Sequence, residues 1–123
     1  MTMKSIQVKT LCQIRDIYRS IAEFESEFQN KYNICLNEGM LLCTLGENKF
    51  SSSELAEKLA LTNSNASKVI KSVEQKGLVE RIIGKQDKRQ MYFSLTQEGY
   101  DLLDTINCSE MDLPELLKSL VEK

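Results

Sequence analysis

The sequence predicts a mainly α-helical protein with one small β-hairpin, and three observations carry that expectation. Residues 51–76 hold two short amphipathic helices, a turn rich in capping residues at Leu61–Thr62–Asn63 separates them, and a β-hairpin with a basic tip follows. That order spells a winged helix-turn-helix, in which one face of each helix is buried and the other is a stripe of small polar residues and lysines.

Taken in order, the first segment places Ile14, Ile17, Tyr18, Ile21, Phe24, Phe28 and Tyr32 on one helical stripe through about residues 4–31. A helix of that length exceeds what a small domain needs to cover its own core, so part of its apolar face is expected to meet another subunit. A second helix carries Met40, Leu41, Leu42 and Leu45 as buried scaffold and is expected to end at Gly46 through a left-handed cap. Ser51 and Glu54 then have the spacing of a capping box, starting a helix whose buried face is Leu55, Ala56 and Leu59.

The next helix, about 63–76 and capped by Thr62 or Asn63, is the informative one. Ala66, Val69, Ile70 and Val73 fall within one sector of its wheel and must point inward. Opposite them lie Ser64, Lys68, Lys71 and Gln75, flanked by Asn65, Ser67 and Ser72. Short side chains permit close approach to a groove, lysines meet phosphates or guanine edges, and Asn or Gln can pair with adenine. Gly77 stops the helix, Leu78–Ile83 forms a strand, Gly84–Arg89 turns, and Gln90–Leu95 returns with Met91, Phe93 and Leu95 on one face. At the tip, Lys85, Lys88 and Arg89 can reach a narrow minor groove, while Asp87 is read as holding the turn or orienting Arg89.

The whole-chain charge of −2 argues at first against nucleic acid. Residues 62–90, however, hold seven basic and three acidic side chains, a local excess of +4, and local field decides where a phosphate backbone can lie. A chain of 14.1 kDa buries about two-thirds of its unfolded surface, enough for one core. One domain over 1–123 is therefore expected, with a central part at about 34–100 and flanking helices at about 4–31 and 97–122. No apolar run approaches the ~20 residues that span a bilayer. The first residues lack a secretory apolar stretch, so a cytoplasmic location with reduced thiols is expected. Cys12, Cys35, Cys43 and Cys108 form no C-x-x-C pair and the chain has no histidine, so neither metal nor cofactor is expected. The cysteines read as small buried hydrophobes, with Cys12 or Cys108 the better candidates for redox sensing.

Three stretches together resemble the MarR family of multiple-antibiotic-resistance regulators: Leu55–Leu61 in ELAEKLALT, Gly77–Arg81 in KGLVER, and Asp87–Lys88–Arg89 running to Leu95–Gly99. The resemblance spans about residues 10–105. It implies a homodimer that places the helix before KGLVER in the major groove and the wing-tip arginine in the minor groove. Carried over by position, Arg89 becomes the wing finger, Asp87 its orienting partner, and Ser64, Asn65, Ser67, Lys68 and Lys71 the groove readers. It also implies that terminal helices pair across the dimer and that a cleft often admits an aromatic acid or phenol. Phe24, Phe28 and Tyr32 are candidate lining residues for such an effector. The chain departs from the family pattern after Thr96, which caps a helix fading near Asn107, followed by a short helix at 112–122. In that last helix Leu113, Leu116, Leu117 and Leu120 supply an apolar stripe.

The expected function is a sequence-specific double-stranded-DNA-binding transcriptional regulator, a repressor acting as a homodimer on a palindromic operator. The alternative is a winged helix that binds protein instead of DNA. An enzyme is excluded by residue type, since histidine, a phosphate-cradling glycine loop and a marked carboxylate pair are all missing from the sequence.

Overall fold

The computed structural model describes residues 7–84, 89–109 and 111–121. Packing divides the chain into two units, one of residues 34–109 and one built from helices at the two ends of the sequence. Among the described residues no helix is long and apolar enough to cross a membrane.

The first unit begins with α2 (Leu36–Leu45), followed by β1 (Phe50–Ser51), α3 (Ser52–Lys58), α4 (Asn63–Gln75), β2 (Val79–Ile83), β3 (Met91–Leu95) and α5 (Gln97–Cys108). The three strands form an antiparallel sheet in the order β1-β3-β2, with Phe50 opposite Phe93, Val79 opposite Leu95 and Ile83 opposite Met91. Its core is Leu41, Leu42 and Leu45 of α2, Leu55 and Ala56 of α3, Ala66, Ile70 and Val73 of α4, and Val79, Phe93 and Leu95 of the hairpin. These are inward positions expected from periodicity, but Met40 and Met91 are exposed, and Leu59 and Val69 are only half-buried. The α2 register explains the exposure of Met40: Leu41, Leu42 and Leu45 define the buried face, and Met40 lies outside it.

The caps follow the sequence closely. The Ser51 hydroxyl accepts from the Glu54 N–H at 3.2 Å while the Ser51 N–H donates to the Glu54 carboxylate at 2.9 Å. Thr62, rather than Asn63, caps α4 by accepting from the Asn65 N–H at 3.1 Å. The turn between α3 and α4 closes with the Leu61 N–H on the Ala56 carbonyl at 2.9 Å, and this places Ala60 at φ 55, a left-handed conformation on a residue with a Cβ. Gly46 does not supply the left-handed cap expected for α2, since its φ is −65. Space is tight there: a Cβ would stand 3.2 Å from Leu103 Cδ1 and 3.3 Å from the Cys43 carbonyl, so a larger residue requires these neighbours to shift slightly.

Gly77 and Gly99 anchor the hairpin for opposite reasons. Gly77 ends α4 at φ 74 with open space where a Cβ would be. Gly99, in the first turn of α5, lies against the Leu78 carbonyl, where a Cβ would come within 2.3 Å of the oxygen. Thr96 joins the two: its N–H donates to the Leu78 carbonyl at 3.1 Å, its hydroxyl donates to the Gly77 carbonyl at 2.6 Å, and the same hydroxyl caps α5 by accepting from the Gly99 N–H at 3.2 Å.

A buried carboxylate ties α2 to α4. Glu38, 4% exposed, accepts four hydrogen bonds: the Cys35 N–H at 2.8 Å, the Ser72 hydroxyl at 2.7 Å, and the Lys76 ammonium at 3.0 Å to each oxygen. Burial pushes this carboxyl up, but the bonds from Cys35, Ser72 and Lys76 outweigh it and hold the group below its ordinary value of 4.5.

The second unit is formed by α1 (Val8–Tyr32) and α6 (Glu115–Val121), which pack together. Asn33 closes α1 at φ 60, its N–H donating to the Gln29 carbonyl at 2.8 Å. Along α1, Phe28 is buried between Phe24 and Tyr32, at ring-centroid distances of 5.9 and 5.0 Å. Val8, Leu11, Ile14, Tyr18 and Ile21 of α1 are exposed, as are Leu116, Leu120 and Val121 of α6, whereas Leu117 is buried. Pro114 precedes α6, and its carbonyl accepts from the Leu117 and Lys118 N–H groups at 2.9 and 3.1 Å.

None of the four cysteines is buried, contrary to expectation: Cys12 and Cys35 are half-buried, and Cys43 and Cys108 are exposed. Cys43 follows Leu42 by one residue and so faces away from the buried side of α2, while Cys108 is the last residue of α5.

Gly99→Ala is expected to destabilise the fold by about 1–3 kcal/mol through overpacking, and Ala60→Gly to stabilise it by roughly 0.5–1 kcal/mol through relief of the left-handed strain. Urea unfolding followed by circular dichroism measures both, and a neutral G99A midpoint contradicts the close approach. Glu38→Gln should cost about 2 kcal/mol at neutral pH by unpairing Lys76. A carboxyl whose folded pKa is depressed contributes fully above its unfolded value and loses that contribution as pH falls through the folded one. The stability gap between wild type and E38Q should therefore be flat above about pH 5.5 and close below about pH 4.5; a gap that widens on acidification contradicts the assignment.

Candidate nucleic-acid interface

With Ala66, Ile70 and Val73 committed to the core, helix geometry turns the opposite face of α4 outward. Ser64, Asn65, Ser67, Lys68 and Lys71 are all exposed there, as the wheel predicts. The first turn of α4 contains no acidic residue, so its N-terminal amides and dipole present positive potential next to Ser64 and Asn65.

Ser72, expected beside this surface, and Lys76, at the end of the helix, are engaged elsewhere. Ser72 and Lys76 are bonded to Glu38, so the positive charge of Lys76 is compensated from α2. The reason is geometric. Ser64, Lys68, Ser72 and Lys76 lie on one i,i+4 row, and each step advances about 40° around the axis. A row that faces outward at the start of α4 therefore reaches α2 by its end. Arg81 on β2 is similarly engaged: its guanidinium grips the Glu74 carboxylate through two bonds of 2.7 and 3.1 Å and lies 5.7 Å from the centre of the Phe93 ring. Compensation of Lys76 by Glu38, which is outside residues 62–90, lowers the effective local excess from +4 to +3. The Arg81–Glu74 pair is internal to that segment and leaves its net charge unchanged.

The hairpin ladder runs from Val79–Leu95 out to Ile83–Met91 and is extended by the Gly84 N–H donating to the Gln90 carbonyl at 2.9 Å. Arg89 is exposed immediately before that last pair. Lys85, Asp87 and Lys88, the other predicted wing residues, lie outside the described residues.

The hairpin and α4 are brought together at one hollow of about 280 Å³, lined by Ser67, Ile70 and Glu74 of α4, Arg81, Met91 and Phe93 of the hairpin, and Ser52 of α3. A second, open depression of about 560 Å³ runs from Ser51–Glu54 to Gln90, Met91 and Tyr92. The two depressions share Ser52 of α3 and Met91 of β3, and Ser67 is the member of the outward stripe of α4 that lines the smaller one. From sequence, the Ser51–Ser52–Ser53 run reads only as the start of α3; the structure places it beside the hairpin, where it lines these depressions.

Comparison with known proteins agrees with this architecture. The family model described as "MarR family" matches residues 35–91. The helix-turn-helix-type transcriptional regulators PapX and PrsX of Escherichia coli are 27% and 31% identical over 97 and 88 residues, covering 76% and 69% of this chain. The chain spans 59% and 53% of the length of these two relatives. Among solved structures, the transcriptional regulator BldR from Sulfolobus solfataricus superimposes with a TM-score of 0.73 at 29% identity, over 97% of this chain and 83% of that one. The MepR–DNA complex of S. aureus, at 21% identity, shares the fold with a TM-score of 0.63 over 77% of this chain and 79% of that one. The family match runs across the helix-turn-helix and into the wing, so this part of the chain, residues 35–91, belongs to the MarR family, and the overall fold is shared with BldR.

Proposed function

We propose that the chain is a sequence-specific double-stranded-DNA-binding transcriptional regulator that acts as a homodimeric repressor on a palindromic operator. The observation that carries this reading is the exposed stripe Ser64, Asn65, Ser67, Lys68 and Lys71, held outward by burial of the other face of α4, with Ser67 lining the hollow that α4 shares with the hairpin. In this reading α4 enters the major groove, where Asn65 and Lys68 read base edges and Lys71 meets phosphate. Arg89 reaches the adjacent minor groove with Lys85 and Lys88 beside it, and Asp87 orients Arg89.

The homodimer is supported by the apolar residues that α1 and α6 leave exposed, Leu11, Ile14, Tyr18, Ile21, Leu116 and Leu120 among them. Two recognition helices one DNA turn apart, about 34 Å, require half-sites with matching spacing. Occupancy of such a site next to a promoter occludes polymerase, which is the basis of the repressor assignment.

Fluorescence anisotropy with the DNA upstream of the chain's own coding sequence tests the reading. If each subunit neutralises about four phosphates, the dimer should show a log–log salt slope on the order of −7. Arg89→Ala should weaken binding across sequences, with selectivity reduced where the minor groove is narrow. Asn65→Ala and Lys68→Ala should each cost about 1–3 kcal/mol at particular base pairs. A salt-insensitive affinity, or binding unchanged in all three variants, rejects this surface and favours a protein-binding winged helix. Sedimentation of the purified chain should give a dimer at micromolar concentration, and a monomer both free and on DNA rejects the palindromic arrangement.

A further inference from the structure

We infer that Glu38, on α2 and away from the exposed stripe, is a positioning residue that sets the DNA specificity of α4 by holding Ser72 and Lys76 off the duplex. The inference rests on the DNA-binding reading above and adds a determinant from outside the contact surface.

The argument begins with the i,i+4 row Ser64–Lys68–Ser72–Lys76. Its first two members are exposed, and its last two converge on a single carboxylate that is 4% exposed. Contacts to Ser72 and Lys76, one turn apart, resist rotation of α4 about its axis more directly than the apolar contacts of Ala66, Ile70 and Val73, because hydrogen bonds are directional and dispersion is not. The rotation of α4 decides which side chains meet base edges. Glu38 is itself fixed at its own end, because the Cys35 N–H binds Oε1 at 2.8 Å. The clamp therefore runs from the start of α2 to the last turn of α4.

The same contact edits the charge of the surface. An ammonium on a four-carbon stem at the end of α4 is a sequence-blind phosphate ligand. Paired with Glu38 at 3.0 Å on both oxygens, Lys76 is retained by the protein and base-reading positions contribute a larger share of the binding. Glu38 thereby suppresses nonspecific affinity as well as fixing the helix.

The test measures binding of the full chain to its operator duplex and to a random duplex of equal length across a salt series. Glu38→Gln should lower the operator-over-random ratio at least tenfold and steepen the random-duplex salt slope by about 0.9 per subunit as Lys76 engages phosphate. Lys76→Met should leave that slope at the wild-type value, whereas Lys71→Met should reduce it by about 0.9 per subunit. A purely structural role for Glu38 lowers stability without moving the slope. A wild-type ratio or wild-type slope in E38Q overturns the inference, as does a reduced slope in K76M. Should E38Q fail to fold by circular dichroism, the K76M slope alone decides. Wild-type protein that binds neither duplex overturns the DNA-binding reading and this role with it, and is thereby distinguished from failure of the clamp.

Discussion

The architecture of the 34–109 unit depends on the two-sidedness of α4. At 3.6 residues per turn, a 13-residue helix can commit one face to a core and must leave the other to solvent or a partner. Ala66 and Val73 are fully buried and Ile70 nearly so, with α2, α3 and β2 packed around the helix. Ala66 is the smallest of the three and sits nearest the turn from α3. The tight connection is possible because Ala60 accepts a left-handed conformation, a local strain maintained by the Leu61–Ala56 hydrogen bond and the buried Leu55 and Ala56 on the preceding helix.

The hairpin depends on that helix through a few backbone atoms. Gly77 turns the chain out of α4, and the Gly77 and Leu78 carbonyls are then taken by the hydroxyl and N–H of Thr96 at the far end of β3. The base of the wing is thus pinned to the end of α4, and α5 starts at the same point because Gly99 has no Cβ to collide with Leu78. This explains physically why the Leu95–Thr96–Gln97–Glu98–Gly99 stretch carries part of the family resemblance: each of Thr96 and Gly99 satisfies a constraint imposed from 18 or more residues upstream.

Much of this was legible in the sequence because it is local. The caps at Ser51, Thr62 and Thr96, the stop at Gly77, the buried sector of α4 and the alternation of Phe93 and Leu95 are set by neighbours within a few residues. The errors occurred where a distant partner decides. β1 is two residues long, too short for any periodicity, and exists because Phe50 and Ser51 pair with β3. Gly46 lies tight against Leu103, 57 positions later, and its own dihedral angle does not call for glycine. Ser72 flanks the polar face by the wheel, yet its hydroxyl is taken by the buried Glu38 carboxylate. A helical wheel treats a polar side chain as outward by default, and a buried carboxylate on a neighbouring helix is the circumstance in which that default fails.

That failure also bears on how an acidic chain can present a surface for a polyanion. A sequence pI near 5.3 averages over charges that never act together. At the surface bordered by α3, α4 and the hairpin, Arg81 is neutralised by Glu74 and Lys76 by Glu38, while Lys68 and Lys71 project from a helix whose first turn has no carboxylate. Over distances beyond about 8–10 Å, salt screens the remaining acidic residues, so the field at a phosphate is set by the nearest few groups. The balance between those paired and projecting cations, rather than their number, determines how much of an association comes from charge and how much from the fit of Ser64, Asn65 and Ser67 against a groove. Under the proposed function, discrimination among similar duplexes gains from keeping the first contribution small, and internal pairing of Lys76 and Arg81 acts in that direction without removing the side chains that pack the helix against its neighbours.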